Sequence, residues 1–419
     1  MNIVSEEIVN VKELLTGLTE TVALRSAYGQ ETNGRLLGTT LGTSLLNEIL
    51  ETLFSIFKDA LEVVQNSQVS IRKTQYTSLS SDLKNETILT GLLIIPRVIP
   101  GNTLPIMCFQ HGTEILKDFA PSQYIINKIQ YFIEVLIGMI FAASGKYAVL
   151  MTDYQGLGDD ETHIQPFVVA DSLSQSVVDF LRATKDIYFK ANNLNWDQEL
   201  FLTGYSEGGY VTMATAQKIQ EKYANEFTIT ACAPLAGPYS ISEGMRLVMI
   251  GNMPYRYRHF LPMTIRGYNA RYGDTFAGGF FTKKRAFKPE YQHLWDLVDG
   301  YHSEEEVIER MPPVPREILS NEILRAFEER DPIVLDALRA NDTYNWKPRI
   351  PMQLFHARAD EVIPYANSEI AQGEFRKRGI EIPIISINPL SFFPGPVHLK
   401  ASIPCFAAAY NWFEDLRIK

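Results

Sequence analysis

The sequence predicts a mostly parallel β-sheet covered by helices on both faces, and three observations carry that expectation. Short apolar runs recur along the chain and each ends in a glycine-containing turn: Pro105 to Gln110, Tyr147 to Thr152 and Glu199 to Thr203. Helical segments separate them, around Ile125 to Ala143 and Val168 to Tyr188. The alternation stops near Ser240 and resumes at Pro351, which marks one long insertion rather than a second domain. Strands alternating with helices form βαβ units, and a sheet built from them is buried on both sides.

Taken in order, the stretch up to about Gln68 reads as helical. Leu45-Leu46, Ile49-Leu50, Leu53 and Ile56-Phe57 fall on one helical face, as in an arm packed on the body. Ile71 to Thr77 alternates like a half-buried strand, and Thr87 to Pro96 reads as a more deeply buried one. Val135 to Ala143, bounded by Glu134 and Lys146, is the most apolar run. It has about half the length a membrane span requires, so a buried helix is expected. Strands follow at Thr228 to Ala233, Pro351 to His356 and Ile382 to Ile387, with a last helix over Ala401 to Phe413. The insertion is aromatic-rich, with Tyr255, Tyr257, Phe260, Tyr268, Tyr272, Phe276, Phe280 and Phe281, and turns helical and charged around His302 to Ala340. The expected units are an N-terminal helical arm at 1–68, a core at 69–240 and 351–419, and an inserted cap at 241–350.

Composition narrows the function. Of 419 residues, 46% are hydrophobic and 21% charged, an ordinary globular mix that excludes disordered and fibrous classes. The formal charge is 39 − 49 = −10 with no basic patch, which argues against nucleic acid as a partner. Three scattered cysteines, Cys108, Cys232 and Cys405, make neither a disulfide framework nor a four-thiolate zinc site. No cofactor or metal motif is visible, and the histidines are too dispersed for a metal centre. Met1-Asn2-Ile3-Val4 runs straight into Glu6-Glu7, so no signal peptide is read and a cytoplasmic location is the default expectation.

The sharpest motif is Gly204-Tyr205-Ser206-Glu207-Gly208, followed by Gly209, between a short apolar strand and a helix-like run from Tyr210 to Tyr223. Strand, G-x-S-x-G and helix together form the context of a nucleophile elbow. A serine at its free pKa is a weak nucleophile and needs a base held by an acid. His398, in the Pro394 to His398 loop before the last helix, is the expected base. Asp360, directly after the strand ending at His356, is the expected acid, with neighbouring Glu361 as the alternative. The oxyanion hole is expected from the N–H of Glu207 and that of Thr113, in His111-Gly112-Thr113. His111 is read as shaping that loop, Asp153 as structural, and Asp159 and Asp160 as solvated. Tyr205, Phe280 and Phe281 are the candidate pocket residues.

Assembled, these residues resemble the α/β-hydrolase superfamily, and more narrowly the secretory lipase family with its bacterial lipase and esterase relatives. The matching stretches are Phe109-Gln110-His111-Gly112-Thr113, Asp153-Tyr154-Gln155-Gly156-Leu157-Gly158 and the Ser206 elbow. Leu338-Arg339-Ala340-Asn341-Asp342 with Trp346-Lys347-Pro348, and His398 followed by a helix containing Trp412, are also similar. The resemblance implies an α/β-hydrolase fold from about Ser70 onward, with Ser206, Asp360 and His398 as a triad and the insertion as a lid over an ester-binding pocket. Members of that family are often secreted. The function it implies is a serine carboxylic ester hydrolase acting on a small-molecule or lipid ester, without a cofactor. Two alternatives stand beside it. One is a serine peptidase or amidase, with Glu304-Glu305-Glu306 or Glu328-Glu329 receiving a free amine; the other is a non-catalytic lipid- or glycoside-binding homologue.

Overall fold

In the computed structural model of the protein, residues 1–27, 34–36, 39–41, 43–62, 67–124, 132–144, 147–391 and 395–417 are described. The chain opens with strand β1 (Asn2–Asn10), helix α1 (Val11–Ala27), a small hairpin of β2 (Gly34–Leu36) and β3 (Thr39–Leu41), and helix α2 (Thr43–Glu62). Next come β4 (Gln68–Leu79), β5 (Glu86–Pro96), β6 (Thr103–Gln110), α3 (Ile133–Ala143) and β7 (Ala148–Thr152). They are followed by α4 (Ala170–Ala183), β8 (Asn195–Tyr205), α5 (Glu207–Lys222) and β9 (Ala231–Leu235). The insertion carries α6 (Arg246–Ile250), α7 (Phe260–Tyr272), α8 (Lys283–Ala286), α9 (Leu294–Leu297), α10 (Glu304–Ile308), α11 (Asn321–Glu328) and α12 (Pro332–Arg339). The chain then returns through β10 (Leu354–His356), α13 (Ala366–Lys377), β11 (Ile384–Ser386) and α14 (Val397–Leu416).

Nine strands form the main sheet in the order β1-β4-β5-β7-β6-β8-β9-β10-β11. From β7 to β11 every neighbour is parallel, whereas β1, β4 and β5 pair antiparallel. The mostly parallel sheet flanked by helices is therefore as expected. Side chains alternate between its two faces along β8. Leu200 and Leu202 enter the core with α4, α5 and the insertion, while Phe201 and Tyr205 enter the core with α1, α2, α3 and α14.

The N-terminus corrects the helical reading. Asn2–Asn10 is an edge strand antiparallel to β4, and its Glu6 carboxylate lies 2.7 Å from the Arg72 guanidinium. Most of β1 is exposed, so it lacks the one-sided apolar alternation by which a half-buried strand is recognised. In α2 the stripe behaves as expected: Leu46, Ile49, Leu50, Leu53 and Phe57 are buried, and the Leu45 and Ile56 side chains lie outside the described ones. Every residue of α3 is buried, because the helix packs against β4, β5 and β7 of the sheet and against α1 and α2. The Phe141 ring lies 5.8 Å from Phe57 and 5.0 Å from Tyr410. Residues 125–131 of the expected helix lie outside the described ones. No described helix is long and apolar enough to cross a membrane.

Candidate active site

Ser206 sits where β8 turns into α5, with φ 59° and ψ −123°. A non-glycine residue held there costs on the order of 1–3 kcal/mol, so its surroundings must hold it in place. They do so by closeness. The Ser206 N–H donates to the Leu235 carbonyl on β9 at 2.9 Å, and the Tyr210 N–H donates to the Ser206 carbonyl at 3.1 Å. A Cβ added at Gly204 would stand 2.5 Å from the Gln110 carbonyl oxygen, and one at Gly208 only 2.1 Å from it. Those two glycines let β6 and the elbow touch backbone to backbone.

His398 is the second residue of α14, which begins at Val397, earlier than the expected Ala401. Its Nε2 lies 2.9 Å from Ser206 Oγ and its Nδ1 lies 2.5 Å from Asp360 Oδ2. The ring is 2% exposed. The Tyr205 hydroxyl donates to the His398 carbonyl at 2.7 Å and tethers the start of α14 to β8. Asp360 Oδ1 accepts the N–H groups of Val362 and Ile363 at 2.9 and 2.8 Å. His356 Nε2, from the end of β10, stands 3.3 Å from Asp360 Oδ2. Burial works to raise the Asp360 pKa, but the His398 charge, with hydrogen bonds from His356 and His398, outweighs it and holds the carboxyl well below its ordinary value. The neighbouring acid points elsewhere. Glu361 accepts the Val397 N–H at 2.8 and 3.0 Å and so caps the helix that carries His398.

The His111-Gly112-Thr113 loop follows β6. Its Gly112 N–H donates to both oxygens of the Glu134 carboxyl, at 2.9 and 3.2 Å. Burial lifts Glu134 to about 8 against that hydrogen bond. His111 is stacked on Tyr154 at 4.2 Å with its two ring nitrogens against the Gly112 and Asp153 carbonyls, and burial lowers its pKa to about 4. It is a structural residue of the loop, with no contact to Ser206 among its hydrogen bonds. Asp153 is buried, accepting from the Ser122 N–H at 2.8 Å and the Thr90 hydroxyl at 2.5 Å. Asp159 is exposed and paired with Lys73 at 2.6 Å. Asp160 departs from the solvated reading: it is buried, accepting the Gly156, Thr162 and His163 N–H groups at 3.0, 3.2 and 3.2 Å. The loop closes around it because three backbone donors would otherwise lose water.

A cavity opens over Ser206 and is lined by Thr113, Glu207 and hydrophobic side chains of the insertion, among them Met245, Phe260 and Phe281. Its walls are almost wholly apolar. Of the three candidate pocket residues, only Phe281 is on this wall. Tyr205 is fully buried beneath the site, because its place on β8 faces the core with α14. Phe280 packs instead against the Arg285 guanidinium, which lies 4.3 Å from its ring centre. The aromatic segment thus has two uses. Phe260 and Phe281 meet the cavity, while Tyr272 and Phe276 stack at 3.9 Å within the insertion's own core. The three cysteines are free and buried, and no group of side chains suited to a metal ion occurs among the described residues.

The model of the secretory lipase family matches residues 125–242, a stretch that contains the Ser206 elbow. Among solved structures, a Legionella pneumophila protein provisionally described as a hydrolase is 26% identical, over 86% of this chain and 94% of that one, with a TM-score of 0.73. The rice cell wall degrading esterase LipA from Xanthomonas oryzae is 18% identical over 88% of this chain and 96% of its own, with a TM-score of 0.72. Candida antarctica lipase A is 18% identical over 76% and 71%, with a TM-score of 0.58. None of the curated proteins matches at the level of sequence. The fold is that of the α/β-hydrolases, and the chain resembles the lipases and esterases built on it.

Proposed function

We propose that the protein is a serine carboxylic ester hydrolase working through an acyl-enzyme. The observation that carries this reading is the line from Ser206 Oγ to His398 Nε2 at 2.9 Å and from His398 Nδ1 to Asp360 at 2.5 Å, opening on an apolar cavity. Ser206 attacks the acyl carbon while His398 takes its proton and returns it to the leaving alcohol. Asp360 fixes the tautomer and stabilises the imidazolium. The N–H groups of Glu207 and Thr113 receive the oxyanion. The neighbouring Gly112 N–H is already committed to Glu134, which supports Thr113 as the loop's donor. Water then enters by the same relay and releases the acid. The insertion acts as the lid that keeps the acyl chain dry.

The peptidase alternative needs a carboxylate to receive a free amine. None of Glu304, Glu305, Glu306, Glu328 and Glu329 lines the cavity, whose single acidic side chain among the described residues is Glu207. Nothing therefore favours that reading over ester hydrolysis. A fluorophosphonate probe should label the protein at Ser206, and 4-nitrophenyl esters from acetate to palmitate should turn over where aminoacyl anilides do not. Absence of labelling would remove the enzyme reading, leaving the non-catalytic binder; faster turnover of anilides would transfer it to the peptidases.

A further inference from the structure

Glu207 is the acidic side chain on the cavity wall; the guanidinium of Arg246, which also lines it, is already bonded to the Ser242 and Phe327 carbonyls. The Glu207 side chain is 1% exposed, and the residue lines the same cavity as Ser206 and Thr113. Neither carboxyl oxygen makes a hydrogen bond of normal geometry. The Thr113 hydroxyl and the Val168 N–H approach it as donors outside normal hydrogen-bond geometry, and both of those residues line the cavity as well. Burial raises the carboxyl to about 8, with Glu114 adding a like charge and the two neighbouring donors opposing, so at neutral pH it is an uncharged acid. Such a group can give one hydrogen bond and accept others. Leaving it buried without a well-formed hydrogen bond costs the fold stability, and an apolar side chain of similar shape would avoid that cost. A missing partner next to the nucleophile is what a substrate supplies on binding.

We propose that the Glu207 carboxyl determines specificity by hydrogen-bonding a hydroxyl on the acyl chain close to the ester carbonyl, so that hydroxyacyl esters are preferred to plain acyl esters. The inference rests on the ester hydrolase reading above. The acyl side is the one to expect. In the acyl-enzyme the alcohol has left and the acyl chain remains in the cavity, beside a side chain one residue from the nucleophile. Farther along the same wall, Ile241, Met245 and Leu261 offer only hydrocarbon, which suits the rest of the chain. A site built to hydrogen-bond a substrate hydroxyl discriminates strongly against the analogue that lacks it.

The test compares 4-nitrophenyl butyrate with 4-nitrophenyl 3-hydroxybutyrate in the wild type, Glu207→Gln and Glu207→Leu, with Glu207→Met as a second apolar replacement should the leucine variant not fold. The readout is the ratio of kcat/KM for the two esters, with melting temperature reporting folding. The wild type should favour the hydroxylated ester by about tenfold or more. The glutamine variant should keep most of that preference, because the amide still offers a donor and an acceptor. Either apolar variant should bring the ratio to about one. A wild-type ratio near one, or a preference that survives in the apolar variants, overturns the inference while leaving the esterase reading intact. If Ser206 is not labelled by a fluorophosphonate and neither ester is hydrolysed, the esterase reading itself fails and the inference goes with it.

Discussion

Ser206 and His398 act as one unit in the proposed reaction, so their removal should not add. Ser206→Ala should abolish ester turnover with the fold intact, and His398→Ala should cost nearly as much. Near-wild-type activity of His398→Ala on an activated ester would exclude it as the base. Asp360→Asn should lower kcat by about 10⁴-fold, since the amide favours the wrong imidazole tautomer. The acids that approach the His111–Thr113 loop, Glu134 from α3 and Glu207 from α5, lead to a pH prediction. Burial lifts Glu134 and Glu207 to about 8, so both are neutral below that value and gain charge above it. A negative charge beside a developing oxyanion raises its energy, and kcat/KM should therefore fall as pH rises through about 8. Glu134→Gln should remove its share of that fall; an alkaline limb identical to the wild type's would clear Glu134. The same shift bears on stability. An unfolded glutamate loses its proton near 4.5 and the folded Glu134 near 8, so between those values the native state holds more protons and stability falls as pH rises. The melting-temperature gain of Glu134→Gln over the wild type should grow across that window.

Helix α14 places His398, the proposed base, and its first turn is held by Glu361 on the Val397 N–H and by the Tyr205 hydroxyl on the His398 carbonyl. Glu361→Gln weakens a capping bond, which is worth about 1 kcal/mol. The expected result is a lower melting temperature with kcat changed far less than in Asp360→Asn; the reverse ranking would hand the acid's role to Glu361. The insertion offers a second contrast between elements. Phe260→Ala and Phe281→Ala should lower kcat/KM chiefly for longer acyl chains, because each buried methylene contributes about 0.8 kcal/mol. Phe276→Ala, stacked on Tyr272 away from the cavity, should instead lower the melting temperature and depress all esters alike. A uniform loss across chain lengths in the first two variants would take those rings out of the substrate site.

For the molecule as a whole, the N-terminal segment is part of the core that supports the site. Phe57 from α2 packs 5.8 Å from both Phe141 and Tyr410, so one ring ties the arm to α3 and to the helix of His398. Phe57→Ala should cost about 3–5 kcal/mol of unfolding free energy, read from chemical denaturation. If the variant instead unfolds with wild-type stability, the arm is an appendage and not a structural layer.

The sequence alone carried what depends on local pattern. The elbow could be read because a strained turn between strand and helix admits few residue types, and Gly204 and Gly208 declare that restriction directly. That His398 and Asp360 would lie near Ser206 could be read from their positions after strands, since chain order around a parallel sheet fixes which loops share an edge. The edge strand Asn2–Asn10 was hidden because an exposed strand loses the alternation that burial imposes. The sequence reading prefers Asp360 to its neighbour Glu361 without a geometric reason; the packing of α14 against their loop sent the first to His398 and the second to the Val397 N–H. Tyr205, Phe280 and Phe281 are likewise equivalent as aromatic residues near a site, and only the direction each backbone position faces put Phe281 on the cavity wall. Glu134 owes its hydrogen bond to Gly112, 22 residues earlier, and the desolvation of Glu134 and Glu207 comes from the packing of segments distant in the chain. Periodicity is a property of neighbours in sequence, whereas burial and charge environment belong to neighbours in space, and those exist only once the sheet, the arm and the insertion have closed on one another.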